Sequence, residues 1–313
     1  MVSAFAPAKI NLTLHVTGQS AAGYHLLDSL VAFASVGDDI SISPADQLSL
    51  SVSGPEAEGL PTDTTNLALR AATLLAEGGG AALHLTKRLP VSSGIGGGSA
   101  DAAAAFRALL VQGEDGHMPL KALWAKPDAM FQKYGAAVLE LGADVPMCLL
   151  SRPVRARGVG EKLSFLSLPP LSAVLVNPRV PVTTRDVFAS LEVRDNSPMP
   201  ADLPALQSSD ALIGFLSEMR NDLEVTASRI APAILDTLAV LRRMSGCRLA
   251  RMSGSGATCF GLFEAQTDAG DAATAIREAH PDWWVADCWI GDQFPAALPI
   301  RDRSSYSRDD IVR

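Results

Sequence analysis

Large apolar residues stand at every second position from Ile10 through Leu12 and Leu14 to Val16, which predicts a strand over Ala8–Val16. A turn follows at Gly18–Gly23, and Leu26–Ala34, Asp39–Ser43 and Leu48–Val52 read as short strands of a meander. Asn66–Ala76, rich in Ala and Leu and ended by Gly78-Gly79-Gly80, predicts a helix. Ala82–Lys87 returns to strand character, and an alanine-rich helical pattern runs from Ala100 to Leu110. Pro127 precedes a helix over Asp128–Leu141, which Gly142-Ala143-Asp144-Val145-Pro146 breaks. Ala173–Asn177 is a short apolar strand, Thr184–Leu191 a helix, and Asp195–Pro204 a connection rich in Pro and Ser. Further on, helices are expected at Ser209–Met219, Pro232–Met244 and Ala269–Ala279. Strands are expected at Cys247–Met252, Thr258–Phe263 and Trp284–Trp289, the first two separated by Ser253-Gly254-Ser255-Gly256. Strands and helices mix without a strict βαβ rhythm, so the pattern predicts an α+β fold.

The helix at Thr184–Leu191 and the connection after it mark the boundary between two halves. An N-terminal domain is expected over residues 1–180, a C-terminal one over 181–298, and a loose polar tail over 299–313. The chain has 313 residues, of which 48% are hydrophobic, enough for a sizeable core. Its net charge of −8 speaks against a nucleic-acid partner, which would need excess Lys and Arg to neutralise phosphates. A small anionic ligand needs only a locally positive site. Cys148, Cys247, Cys259 and Cys288 form no C-x-x-C pair, and the five histidines do not cluster at ligand spacing. The N-terminus lacks a basic segment before an apolar one, and no apolar run reaches bilayer-spanning length. The expectation is a cytoplasmic protein with reduced thiols and no membrane partner.

The chemistry concentrates in Val91-Ser92-Ser93-Gly94-Ile95-Gly96-Gly97-Gly98-Ser99-Ala100-Asp101. Glycines let a backbone turn sharply and bring its N–H groups close to a ligand. The helix start behind them adds unpaired donors and the positive end of a dipole, which together make a phosphate cradle. Serine stands where a dinucleotide fingerprint wants its last glycine, and no lysine follows as in a Walker A loop. Ser99 can instead be a plain helix N-cap, a role worth ~1 kcal/mol.

Three pieces occur in order: Pro7-Ala8-Lys9-Ile10-Asn11-Leu12, the glycine run, and Met252-Ser253-Gly254-Ser255-Gly256-Ala257-Thr258. This set resembles the superfamily of galactokinase, homoserine kinase, mevalonate kinase and phosphomevalonate kinase. Gly23-Tyr24-His25-Leu26-Leu27-Asp28-Ser29-Leu30, Gly142–Pro146 and Gly158-Val159-Gly160-Glu161 are similar to its branch acting on a cytidine diphosphate-linked methylerythritol. The resemblance runs from about Phe5 to about Ile290. It implies an N-terminal domain like domain 2 of ribosomal protein S5, a C-terminal ferredoxin-like domain, and an active site between them. It also implies ATP as phosphoryl donor, Mg²⁺ as cofactor, and a monomer or homodimer.

The resemblance assigns roles residue by residue. Asp144 becomes the general base, with Lys9 beside it keeping the carboxylate ionised and offsetting charge on the transferred group. Pro90, Val91, Ser92, Ser93, Gly94, Ile95, Gly96, Gly97, Gly98, Ser99, Ala100 and Asp101 form the ATP-binding stretch. Asn66 and Leu67 belong to the adenine pocket. Similar sequences often carry a second serine after Ser99; Ala100 stands there, so Ser99 alone would reach Mg²⁺. Tyr24 and Phe188 resemble an aromatic pair that sandwiches cytosine, and His25 the residue that pairs with its polar edge. Asn11 and Thr184 would contact the methylerythritol or phosphate part, and Gly254 and Ser255 would close over it. Spacing alone also allows Asp144 as a helix cap, Lys9 as a surface charge, and Tyr24 and Phe188 as core. A homoserine- or mevalonate-type kinase would keep the glycine run without needing Tyr24, His25 and Phe188. A non-catalytic nucleotide-binding module would need neither Lys9 nor Asp144.

Overall fold

The computed structural model describes residues 1–75, 80–112, 133–134 and 136–301. The order begins β1 (Val2–Asn11), β2 (His15–Gln19), β3 (His25–Ala45), β4 (Ser49–Ser53), α1 (Leu67–Leu75), β5 (Gly80–Thr86) and α2 (Gly97–Gln112). It continues α3 (Val145–Leu150), β6 (Val154–Gly158), β7 (Lys162–Phe165), β8 (Leu171–Asn177), α4 (Thr184–Ala189), α5 (Ser209–Ser217), α6 (Glu224–Ile230) and α7 (Ala233–Arg243). Then come β9 (Cys247–Met252), β10 (Cys259–Phe263), α8 (Gln266–Ala279), β11 (Trp284–Gly291), α9 (Phe294–Ala297) and β12 (Ile300–Arg301). Among the described residues, twelve strands join in one sheet whose spine runs β12-β1-β3-β11-β8-β10-β9. No helix among them is long and apolar enough to cross a membrane.

The expected first strand differs from the observed one. β1 begins at Val2 and ends at Asn11, because the amides of both Leu12 and Thr13 turn onto the Leu30 carbonyl. His15 then starts a second strand. The alternation does not mark one buried face either: Ala8, Ile10, Leu12, Leu14 and Val16 are all buried, and so are Lys9, Asn11 and His15 between them. β1 lies between two cores, one formed with α1, α2 and α3 and the other with β8, β10 and α5. The meander expected over 26–43 is one 21-residue strand, β3, pairing with β1, β2, β5, β6 and β11.

The helix α2 begins at Gly97, three residues before the expected Ala100. Its alanines let it pack closely on all sides, and Ala100 through Ala108 are buried. Of the helix expected over Asp128–Leu141, residues 133–134 and 136–139 are helical, and the earlier part lies outside the described residues. So do Gly78 and Gly79, expected to end α1, and the tail beyond Arg301. The start of that tail is ordered: Ile300 and Arg301 pair with Ser3 and Val2, covering part of the outer edge of β1.

Candidate active site

Two glycine-bearing turns meet at the centre of the molecule. Gly94 has φ of 76°, and a Cβ there would sit 2.6 Å from the Ser253 carbonyl and 2.7 Å from Gly256. Only glycine fits, because the obstacles are backbone and cannot give way. Ser253 fastens the junction: its hydroxyl donates to the Gly94 carbonyl at 3.2 Å and accepts from the Asn11 amide at 3.1 Å. The Thr258 amide donates to the Ser93 carbonyl at 3.1 Å.

Gly96, at φ of 66°, ends the loop; a Cβ there would lie 3.1 Å from Lys9 Cβ, so the Lys9 side chain runs along it. The first helical hydrogen bond of α2 joins the Ala100 amide to the Gly96 carbonyl at 2.9 Å. The amides of Gly97, Gly98 and Ser99 therefore precede the internal ladder and are donors for an anion. Ser99 lies inside the first turn rather than at the cap, so the N-cap reading fails for it. No hydrogen bond among the described residues engages its hydroxyl.

These residues line a cleft of about 820 Å³, together with Lys9, Asn11, Asn66, Leu67, Asp144, Thr184, Phe188, Gly254 and Ser255. Such a volume suits a substrate of nucleotide size. Lys9 Nζ donates to Asp144 Oδ2 at 2.9 Å. The Lys9 side chain is 8% exposed and that of Asp144 39%. A half-exposed pair contributes about 1 kcal/mol or less to stability. Asp144 also occupies the N-cap position of α3 without making a capping hydrogen bond, forgoing about 1 kcal/mol. Its carboxylate is directed at Lys9 across the cleft, an arrangement that serves chemistry better than stability.

Beneath the loop lie three further charges. Lys87 Nζ donates to Asp38 Oδ2 at 2.6 Å and Asp101 Oδ2 at 2.7 Å, and all three side chains are buried. Asp38 Oδ1 also accepts the amides of Arg88 and Leu89, whereas Asp101 Oδ1 is buried without a partner. One ammonium cannot neutralise two buried carboxylates, and the one with fewer hydrogen-bond donors yields. Burial pushes the Asp101 carboxyl up to about 8 against the pull of Lys87, with Asp38 adding to the rise. Asp101 is thus a support under the loop, with its Oδ2 spent on Lys87.

The remaining expected residues divide. Ile95 and Ala100 turn into the core and do not line the cleft. Asn66 caps α1: its Oδ1 accepts the Ala68 amide and its Nδ2 donates to the Pro61 carbonyl, while the residue also borders the cleft. Thr184 and Ser255 share a hydrogen bond of 2.8 Å on the opposite wall. Phe188 stacks on His25, with centroids 4.8 Å apart, and Tyr24 stands 67% exposed at a turn, outside the cleft wall. The structure thus does not bring Tyr24 and Phe188 together around a common gap. Burial, with Arg194 adding to it, lowers the His25 pKa. Asp38, Lys87 and the wall residues Leu60, Pro61 and Val182 are not found by reading motifs. Each of the first two stands beside a second charge of the same sign, Asp39 or Arg88, so the sequence carries no sign that it is buried.

Helix-start amides and an ammonium-bound carboxylate on one cleft are the parts that a kinase of small alcohols uses. Residues 66–152 match the family described as "GHMP kinases N terminal domain", and residues 203–282 match "GHMP kinases C terminal". The chain is 54% identical over 287 residues to the 4-diphosphocytidyl-2-C-methyl-D-erythritol kinase of Cereibacter sphaeroides, covering 91% of this chain and 98% of that one. It is 48% identical over 302 residues to the protein of that name in Roseobacter denitrificans, covering 96% and 97%. A crystal structure of 4-(cytidine 5'-diphospho)-2C-methyl-D-erythritol kinase superposes with a TM-score of 0.71 at 34% identity, covering 92% and 99% of the two chains. The mevalonate kinase of L. major, at 14% identity and a TM-score of 0.60 over 93% and 96%, shares the fold. The chain belongs to the 4-diphosphocytidyl-2-C-methyl-D-erythritol kinase family.

Proposed function

We propose that this protein transfers the γ-phosphoryl group of ATP to the 2-hydroxyl of 4-diphosphocytidyl-2-C-methyl-D-erythritol, a step of the non-mevalonate route to isoprenoid precursors. The observation that carries the reading is the Lys9–Asp144 pair, 2.9 Å apart, on the cleft that also holds the unpaired amides of α2. The amides of Gly97, Gly98 and Ser99 hold the triphosphate. Asp144 takes the proton of the hydroxyl as its oxygen bonds to the γ-phosphorus. The bond from that phosphorus to the bridging oxygen breaks, and ADP leaves with the electron pair. Lys9 offsets charge spreading over the transferred group; positioning and electrostatics supply most of such catalysis.

The Ser99 hydroxyl, unengaged among the described residues and on the cleft wall, suits a hard cation and would hold Mg²⁺ together with nucleotide oxygens. When bound, Mg²⁺ neutralises phosphate charge. No group of three or more His, Cys, Asp or Glu among the described residues forms a separate cation cage. Phe188 and His25 offer an apolar face and an imidazole to the cytosine, with Tyr24 on the exposed turn next to His25. Asn11 and Thr184, with Gly254 and Ser255, border the methylerythritol diphosphate. Four unpaired thiols and the use of ATP fit a cytoplasmic setting.

The test is a coupled ADP-release assay with ATP, Mg²⁺ and each of three alcohols: the cytidine diphosphate-linked methylerythritol, homoserine and mevalonate. Turnover with the first alone is expected. Turnover with homoserine or mevalonate, or with none, overturns the reading.

A further inference from the structure

Arg107 is fully buried in the middle of an alanine-rich helix. Its Nη1 donates to the carbonyls of Cys148 at 2.7 Å and Leu149 at 3.2 Å, and its Nη2 to the carbonyl of Phe5 at 2.6 Å. Those three carbonyls belong to two different elements. Cys148 and Leu149 lie in the last turn of α3, where helix carbonyls have no following amide. Phe5 lies in β1, in register with Asp39 of β3. A charge this deep is costlier to bury than an apolar side chain of similar volume, so packing alone does not account for it.

The three joined elements each carry one part of the transfer site. α2 starts with the phosphate amides, about 15 Å along its axis from Arg107. β1 carries Lys9, four residues beyond Phe5. α3 carries Asp144 at its N-cap, and the Cys148 amide donates to the Asp144 carbonyl at 3.2 Å. The carbonyls that Arg107 grips therefore sit one helical turn from the proton acceptor. The guanidinium is planar, and its donors diverge in a fixed fork, so one rigid group sets the spacing of all three.

We infer that Arg107 is a positioning residue for phosphoryl transfer, holding α3 and β1 against α2 so that Asp144 and Lys9 keep their distance from the phosphate amides. It is fully buried and does not line the cleft. The inference rests on Asp144 as proton acceptor.

The test is a double-mutant cycle in the full chain with Arg107→Lys, Asp144→Asn and the double variant. kcat, KM for ATP and melting temperature are measured for each. A lysine keeps the charge but cannot reach three divergent carbonyls. Misplacing a catalytic group by an ångström costs up to about 100-fold, so Arg107→Lys should lower kcat about 10- to 100-fold with KM for ATP within about twofold. In the Asp144→Asn background the same change should cost severalfold less than in the parent, because one of the two positioned groups is gone and only Lys9 remains to be misplaced. An equal fold-loss in both backgrounds, or a raised KM for ATP at unchanged kcat, overturns the inference. Asp144→Asn at parental turnover overturns the proton-acceptor reading, and this inference with it. Should Arg107→Lys not fold, Ser151→Ala runs the same cycle: it removes the second donor to the Cys148 carbonyl, a 2.9 Å bond, and leaves the guanidinium in place. A smaller kcat loss, again reduced without Asp144, is then expected; no kcat loss, or an equal loss in both backgrounds, overturns the inference.

Discussion

Replacing Lys87 by Met keeps the stem of the side chain and removes the ammonium between Asp38 and Asp101. The side chains of all three are at most 5% exposed. Removing one partner of a buried ion cluster costs about 3–5 kcal/mol, since the remaining charge has no water to turn to. Unfolding entropy of ~2.1 cal/mol/K per residue gives a chain of this length ~0.6 kcal/mol/K, so the loss should lower the melting temperature by about 5–8 °C. The damage reaches the site as well. A Cβ on Gly97 would lie 3.0 Å from Lys87 Nζ, so the ammonium supports the first turn of α2 from below. KM for ATP should rise with the loss of stability. Calorimetry on Lys87→Met, and on the charge-free triple variant with Asp38→Asn and Asp101→Asn, separates the causes. The triple variant leaves no unpaired charge but buries two amides, so it should recover part of the loss. A single variant melting within about 1 °C of the parent, or a triple variant no better than the single, refutes the account.

Asp144→Ala should cut kcat by about 10²- to 10⁴-fold and leave KM for ATP within about twofold; a coupled assay showing parental turnover removes Asp144 from the mechanism. Loss of base stacking is worth ~1–3 kcal/mol, so Phe188→Ala should raise KM for the cytidine-linked alcohol about 5- to 150-fold and spare ATP, and an equal rise for both refutes the assignment. The Asp101 carboxyl, raised from 3.8 to about 8 by burial, favours the fold fully below 3.8 and loses that contribution as pH climbs towards 8. Asp101→Asn abolishes this drain, so its melting temperature should gain on the parent's steadily between about pH 5 and 8. A pH-independent difference would count against the raised carboxyl.

The phosphate loop is legible because its constraints are local: backbone contacts require glycine at Gly94, a positive φ favours it at Gly96, and the helix follows at once. The Lys9–Asp144 pair is not legible from spacing, since 135 residues separate the two and the cleft alone brings them together. It was reached through family resemblance. Lys87, Asp38 and Arg107 escape motif reading because the tertiary fold supplies their partners: carboxylates for Lys87, an ammonium and two amides for Asp38, carbonyls for Arg107. β6 and β7 were missed for a related reason. The Val-Arg-Ala-Arg-Gly of β6 looks like solvent-facing alternation, yet Arg155 is buried and paired with Asp28 at 2.7 Å. α6 is a seven-residue helix without the length to show a period. The start of the tail, polar in composition, is held by β1 pairing and by Arg301 donating to the Val111 carbonyl at 2.6 Å.

β8 precedes residue 180, yet both its neighbours, β10 and β11, follow it in the chain. A polypeptide severed near residue 180 would leave its first fragment with a bare strand and its second with a gap of matching register. Neither piece should hold its shape alone, but mixing the two should restore one folded particle. That makes this position a natural place for a reporter assembled from two halves.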